Sequence, residues 1–159
     1  MKISHKRDLS SALTNDGDLS LFFIGAGSAF AKTLNQNNIL VVKGDQHLLV
    51  DCGTRCSQAL HAYQLPVTDI RNFVITHSHA DHIGGLEEVQ LHGRYVAKSK
   101  PNMIINEEYQ AILWEQSLRG GSEMSEAVPL KFTDLWHCIR PVKMPHQARE
   151  TWETSLGSL

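Results

Sequence analysis

Short apolar runs separated by turn residues dominate the first third of the chain. Residues 19–24 (LSLFFI), 39–42 (ILVV) and 47–51 (HLLVD) each have the length and composition of a β-strand. Glycine, asparagine and aspartate lie between the runs, and residues 43–46 (KGDQ) have the composition of a hairpin turn. The pattern predicts an antiparallel meander of three strands, preceded by a polar lead-in over residues 1–18.

After residue 52 the apolar positions change to helical spacing. They recur at Cys56, Ala59, Leu60 and Tyr63, which predicts a helix that ends before Pro66. Strand-like and helix-like segments then alternate: a strand over 71–76, a helix from 86, a strand over 103–105 and a helix capped by Asn106. Strands followed by β–helix–β alternation predict a mixed α/β layered domain over residues 19–159.

The later segments carry weaker patterns. Residues 119–126 (RGGSEMSE) are predicted to form a flexible surface loop, because glycine and serine are common in turns. Residues 132–144 favour neither helix nor strand clearly, although Asp134 is typical of helix capping. The residues after 144 show no strong helix or strand pattern.

The composition is that of a globular protein, with 42% hydrophobic and 20% charged residues. A length of 159 residues suits one domain and is too short for two ordinary ones. The formal net charge of -2 provides no general reason to expect nucleic acid or an acidic membrane as partner. No apolar run approaches the roughly 18 residues that span a bilayer, so no membrane partner is expected.

The cysteines indicate a reducing environment. Their number is odd, and the polar N-terminal residues do not resemble a secretory signal. We therefore predict a cytoplasmic protein. Cys52 and Cys56 have the look of half a zinc knuckle, but Cys138 is the one further cysteine and lies far downstream. Buried small apolar residues are the favoured interpretation of the pair.

Residues 76–85 (THSHADHIGG) carry the candidate chemistry. They follow an apolar strand, and sheet proteins place ligand sites at the carboxyl ends of strands. His77 and His79 lie two positions apart, so in an extended segment they project to the same side and can bind one metal ion. Asp81 and His82 follow where the chain turns, so they can face a second ion.

Three imidazoles and a carboxylate suit zinc, with manganese or iron(II) as alternatives. Two such ions can share a water molecule and hold it as hydroxide, a nucleophile for hydrolysis. A solvated loop with chance histidines is the alternative, and the preceding strand and following glycines disfavour it. An isolated histidine elsewhere, such as His61 or His92, is by default a hydrogen-bonded core residue.

This cluster, followed by Gly84 and Gly85, resembles the signature of the metallo-β-lactamase-fold hydrolases. Three upstream segments resemble the ribonuclease Z and phosphodiesterase branch: GAGSA at 25–29, NN at 37–38 and VDCG at 50–53. The resemblance covers residues 19 to about 90 well. It implies an αββα sandwich with two metal ions at one edge, and it says little about the substrate.

By this resemblance, His77 and His79 would bind the first metal, and Asp81 and His82 the second. Asp81 would also assist proton transfer to the leaving group, as a catalytic residue. Asp51 matches a residue that usually supports the metal-binding loop, and support is favoured over direct ligation.

The family pattern requires further ligands downstream: a third histidine, a bridging aspartate and a final histidine. His137 and His146 are the late histidines, and His146 lies at a suitable distance to be the third ligand. No clear apolar strand precedes His146, so an exposed loop histidine is the favoured interpretation. No late aspartate has the Gly-Asp context of the bridging residue. We therefore interpret the chain as the N-terminal half of the sandwich, belonging to a longer hydrolase. Half a sandwich would expose a sheet face, so we expect marginal stability or homo-oligomer formation through that face.

The leading hypothesis is a metal-dependent hydrolase of phosphodiesters: a small phosphodiester, a cyclic nucleotide or an RNA 3′ end. The near-neutral net charge slightly favours a small substrate over RNA. The alternative is a truncated, non-catalytic metal-binding or interaction module that lacks the remaining ligands. Chelator-sensitive turnover distinguishes the two.

Overall fold

The structure, a computed structural model, describes residues 12–145, 150–157 and 159. Residues 1–11 of the predicted lead-in and the candidate ligand His146 lie outside these described ranges.

A six-stranded sheet with its strands in chain order organises the described residues. The strands are β1 (Ser20–Gly25), β2 (Asn38–Lys43), β3 (Gln46–Val50), β4 (Asn72–Val74), β5 (Asn102–Ile104) and β6 (His137–Ile139). The first three pair antiparallel, and β3 to β6 pair parallel. The predicted meander is therefore confirmed, and the later alternation forms parallel βαβ units. Two short strands, β7 (Val142–Lys143) and β8 (Trp152–Glu153), pair separately.

Short helices connect the parallel strands. They are α1 (Cys56–Ala62), a 3-10 turn (Val67–Asp69), α2 (Ala80–Ile83), α3 (Leu86–His92), α4 (Glu107–Leu113), α5 (Arg119–Ser122) and α6 (Phe132–Leu135), with π-helical turns at Gly93–Ala97 and Trp114–Leu118. Asn106 caps α4, its Oδ1 accepting from Tyr109 N at 2.7 Å. Asp134 Oδ2 accepts from Lys131 N at 2.8 Å at the start of α6. Both capping predictions are confirmed.

One face of the sheet packs against the helices and forms the core. Its side chains alternate along the strands, and five of them are at most 2% exposed: Ile24, Leu40, Leu49, Phe73 and Met103. Phe73 meets the buried Trp136 edge to face, with ring centroids 5.5 Å apart. This layer holds the parallel strands in place, and thereby the loops that follow them.

The other face is apolar and partly exposed. One row of aligned side chains crosses all six strands: Phe23, Ile39, Val50, Val74, Ile104 and Ile139. Leu21, Val41 and Leu48 form a second row. Leu21 is 56% exposed and Phe23 is 55% exposed. We call these two rows the open sheet face, and it matches the exposed face expected from the sequence.

The predicted surface loop over residues 119–126 is wrong in part. Its first four residues form α5, and Ser122 is fully buried. The Ser122 hydroxyl accepts from the buried Gln90 side chain, which in turn accepts from Trp136 Nε1 at 2.7 Å. Gly120 and Gly121 weaken the local helix signal, and buried tertiary hydrogen bonds override it.

The prediction for His61 and His92 as core residues is also wrong, because both are exposed. Among the histidines that the structure describes, the buried one is His47, only 5% exposed on the core face of β3. Its Nε2 accepts from Arg71 N at 2.9 Å. Burial, together with the nearby Arg71 charge, lowers the pKa of His47.

The cysteine interpretation is confirmed for the pair in question. Cys52 and Cys56 are fully buried free thiols. The neighbouring Cys56 thiol and burial raise the pKa of Cys52 well above its ordinary range, which disfavours a metal-binding thiolate. Within the described ranges, no helix has the length and apolar character required to cross a membrane.

Candidate metal centre

The candidate centre lies at the carboxyl ends of β3 and β4. Parallel pairing places the loop after β3 (residues 51–53) beside the loop after β4 (residues 76–85). Asp51 N donates to Val74 O at 2.9 Å, and Cys52 N donates to His82 O at 2.7 Å. Gly85 N completes the junction by donating to Cys52 O at 2.9 Å. The backbone thus holds the two loops together.

Asp51 organises this junction. Its carboxylate accepts from Thr76 N at 2.8 Å and from the Thr76 hydroxyl at 2.9–3.0 Å. His82 Nδ1 donates to Asp51 Oδ2 at 2.7 Å. Because an ionised carboxylate only accepts, this contact keeps a proton on Nδ1 and leaves Nε2, beside Asp81, as the nitrogen available to a metal ion. With both oxygens engaged, Asp51 supports the loop and orients His82, as the family resemblance implies.

All four predicted ligands come together in front of this junction. His77 Nε2 lies 2.9 Å from His79 Nδ1, and the His77 and His82 ring centroids are 4.0 Å apart. Asp81 Oδ2 lies 3.2 Å from His82 Nε2. His77 and His79 are exposed, whereas Asp81 and His82 are half-buried. The cluster therefore faces solvent on one side and rests on Asp51 on the other.

The four candidate ligands have donor atoms that zinc prefers, and the nitrogens of His77 and His79 are close enough to share one ion. Two imidazole nitrogens on one tetrahedral zinc ion lie about 3.3 Å apart, close to the observed separation of His77 and His79. In the structure the rings hydrogen-bond to one another, and among described residues no three potential donors converge on a single point. Metal binding therefore requires the exposed rings of His77 and His79 to rotate, so that their nitrogens contact the ion instead of each other.

Glycines allow the two loops to approach each other closely. A Cβ on Gly53 would lie 2.1 Å from Asp81 O, and one on Gly85 would lie 2.7 Å from Gly53 O. A Cβ on Gly84 would lie 2.2 Å from Thr54 Cγ2. No larger residue fits at these positions without moving the backbone or side chains packed against the loop that carries Asp81 and His82.

Three residues that support the loops of the cluster were not predicted from the sequence as site residues. The Tyr109 hydroxyl shares a 2.9 Å hydrogen bond with Ser78 Oγ, between the first two histidines, and burial raises the pKa of Tyr109. Asn38 Oδ1 accepts from Gly53 N at 2.8 Å, and Gln36 Oε1 accepts from Arg55 N at 3.2 Å. Asn38 belongs to the NN segment, which the sequence identifies only through the family resemblance. Tyr109 and Gln36 have no local sequence pattern that would predict contacts with Ser78 and Arg55.

The late candidates do not join the cluster within the described structure. His137 begins β6, at the amino end of the parallel strands, whereas the cluster lies at their carboxyl end. Asp134 is engaged in capping α6. Both interpretations of His146, as an exposed loop residue or as the third ligand, stay untested, because His146 lies outside the described residues.

The chain matches a family model described as Anti-Pycsar protein Apyc1 over residues 19–156. The Anti-Pycsar protein Apyc1 of Paenibacillus sp. (strain J14) is 43% identical over 103 residues, which cover 65% of this chain and 42% of the relative. That of Bacillus phage vB_BsuM-Goe3 is 37% identical over 125 residues, covering 77% and 48% respectively. The chain thus spans less than half the length of these relatives.

Solved structures show the same fold. The metallo-β-lactamase-fold protein YhfI from Bacillus subtilis aligns with a TM-score of 0.54 at 19% identity, covering 79% of this chain and 48% of YhfI. Human tRNase Z, short form, aligns with a TM-score of 0.53 at 23% identity, covering 76% and 44% respectively. The predicted metallo-β-lactamase fold is confirmed. The matched family model describes a more specific family than the ribonuclease Z and phosphodiesterase branch that the sequence resembles. The chain therefore belongs to the Anti-Pycsar protein Apyc1 family.

Proposed function

We propose that this chain contributes the metal-binding part of a phosphodiesterase that hydrolyses cyclic nucleotides. The observation that carries the proposal is the convergence of His77, His79, Asp81 and His82 at the ends of two parallel strands. Three imidazoles and one carboxylate, held against a hydrogen-bonded supporting aspartate, are typical of a hydrolytic metal centre.

In this proposal His77 and His79 hold one divalent ion, and Asp81 and His82 hold a second. Zinc is the favoured ion, with manganese and iron(II) as alternatives. When bound, the ions supply a water molecule activated as the nucleophile for attack on phosphorus.

The residues of the chain itself orient these ligands and move a proton. Asp51 keeps the proton of His82 on Nδ1, so that Nε2 is the ligating atom. Asp81 is half-buried with its carboxylate beside His82 Nε2. We assign it the relay of a proton from the attacking water to the leaving oxygen, because a carboxylate at this position adjoins both the ligands and solvent.

Family membership supports a cyclic nucleotide as the substrate rather than an RNA 3′ end. The net charge of -2 agrees with this choice, since a long nucleic acid is usually met by a strongly basic surface. Free cysteines, two of them buried together, agree with action in the cytoplasm.

A non-catalytic metal-binding module is the second candidate. One observation favours it: among the described residues, no three of the candidate donors converge on a single point. In that case the cluster binds metal without turnover.

The deciding experiment measures zinc content and hydrolysis of a panel of 3′,5′-cyclic nucleotides, before and after chelation and zinc addition. His79→Ala is compared with His61→Ala, which removes an exposed histidine from α1, away from the cluster. We expect zinc-restored turnover that falls at least roughly 100-fold in His79→Ala and persists in His61→Ala. Zinc bound through His79 without any turnover supports the second candidate. Turnover that survives His79→Ala refutes the proposed centre.

A further inference from the structure

A separate cavity lies at the opposite end of the parallel strands from the metal cluster. Its volume is about 460 Å³, within the range of small-molecule sites. It lies beside the amino ends of β4, β5 and β6 and is closed on one side by α3 and the π-helical turn that follows. None of the residues proposed to bind metal or move a proton lines this cavity.

The cavity is lined by basic side chains from three neighbouring strand beginnings. Arg71 precedes β4, Lys100 precedes β5 and His137 begins β6, and none of the described aspartates or glutamates lines the cavity. Parallel pairing of β4, β5 and β6 brings these starts side by side. In a chain with a net charge of -2, this concentration of positive charge is a local feature.

Arg71 and Lys100 both have side-chain N–H groups that make no hydrogen bond to a described residue. The Arg71 guanidinium has no side-chain hydrogen bond or ion pair with any residue that the structure describes. Lys100 Nζ donates to Thr133 O at 2.7 Å, which leaves two of its three N–H groups. Asp69, the acidic group near His47 and Arg71, does not line the cavity.

Apolar and neutral polar groups complete the lining. Val67, Ile70 and Val89 line the cavity at its base, each at most 7% exposed, and the exposed Ala97 adds apolar surface beside them. Thr68 and Ser99 are also lining residues, and they add hydroxyl groups to the lining. The cavity thus combines apolar lining residues with cationic ones, as expected for a ligand that has an apolar body and an anionic group.

We propose that this cavity binds a small phosphate monoester with an apolar or aromatic body. A monoester carries nearly two negative charges near neutral pH, which match the two permanent charges of Arg71 and Lys100. The planar guanidinium can also donate two parallel hydrogen bonds to phosphate oxygens. A carboxylate offers one charge, and inorganic phosphate lacks a body that would contact the apolar residues of the lining.

The test uses phenyl phosphate as the probe, titrated into the full chain by calorimetry in the presence of a chelator. Chelation prevents an ion in the metal centre from attracting the phosphate. We expect phenyl phosphate to bind more tightly than either benzoate or inorganic phosphate. Equal binding of benzoate or of inorganic phosphate would overturn the proposed ligand class.

Variants locate the binding. Arg71→Gln should weaken phenyl phosphate binding roughly tenfold, the effect of losing one charged hydrogen-bonding group. The backbone hydrogen bond from residue 71 to His47 persists in this variant, and circular dichroism checks the fold. Lys131→Gln is the matched control, because it removes one exposed positive charge that does not line the cavity.

Three results would refute the cavity as the site. They are unchanged binding in Arg71→Gln, an equal loss in Lys131→Gln, and a loss in His79→Ala. The last would place the probe at the metal cluster instead, and the outcome is independent of whether the cluster hydrolyses a cyclic nucleotide.

Discussion

At the scale of single residues, Asp51 determines how the candidate ligands are presented. It adopts a positive φ of 63°, a conformation that aspartate tolerates better than most residues. From there its carboxylate accepts from both Thr76 and His82. One side chain therefore sets the position of the loop after β4 and the protonated nitrogen of a ligand.

We predict that Asp51→Asn lowers zinc affinity by about 10- to 100-fold without unfolding the chain. The amide has one acceptor oxygen in place of two, so the donors of Thr76 and His82 cannot both be satisfied as before. Competition with a chromogenic chelator measures the affinity. The matched control is Asp45→Asn, the same change at an exposed turn position between β2 and β3. Equal zinc affinity in the two variants would show that Asp51 does not support the ligands.

At the scale of elements, the site depends on close packing between two loops rather than on long helices. The helix that carries Asp81 and His82 is α2, a single turn of four residues. Its position is set by the loop after β3, where Gly53 adjoins the Asp81 carbonyl. Backbone contact between the two loops therefore positions α2, which is too short to be held by side-chain packing along its length.

We predict that Gly53→Ala lowers the free energy of unfolding by roughly 1–3 kcal/mol, the usual cost of overpacking. The added methyl would meet Asp81 O at 2.1 Å, and a backbone carbonyl cannot swing away as a side chain does. Chemical denaturation of the metal-free protein measures the change. Gly120→Ala is the control, because nothing lies within 4 Å of the added Cβ in α5.

The control should be neutral or stabilising, by up to about 1 kcal/mol, because alanine favours a helix more than glycine does. Gly53→Ala as stable as Gly120→Ala would mean that the two loops separate at little energetic cost, contrary to the close junction described above.

At the scale of the whole molecule, the open sheet face is an apolar surface that no other part of the described structure covers at Leu21 and Phe23. Its rows of apolar side chains run across the strands, with Leu21 and Phe23 more than half exposed. An apolar face of this kind favours burial against another sheet. We propose that, in isolation, copies of this chain associate through it.

We predict concentration-dependent association of the isolated chain in sedimentation velocity experiments. Phe23→Lys should shift the chain toward monomer, because it places a charge within the open sheet face. Val128→Lys is the control, since Val128 is 71% exposed and lies in the segment before α6, outside the sheet. A monomer at all concentrations, with a sharp and concentration-independent melt, would contradict the proposal.

Much of the fold and the centre of the site follow from local patterns. Apolar runs predicted β1 to β5 to within two residues at each end, and Asn106 and Asp134 were identified as capping residues. The ligand cluster was equally local, because its four members lie within six positions of one another. Hydrophobic periodicity, capping and short motifs are properties of neighbouring residues, so the sequence carries them directly.

Contacts between distant segments required the tertiary structure. The burial of His47 rather than His61, the helix at residues 119–122 and the bond from Tyr109 to Ser78 each involve partners more than twenty residues apart. The same holds for the cavity beside Arg71, Lys100 and His137. Local sequence determined the strands, the caps and the ligand types of this protein. Tertiary structure decided which side chains meet, because strand pairing and side-chain packing depend on segments that are not adjacent in the chain.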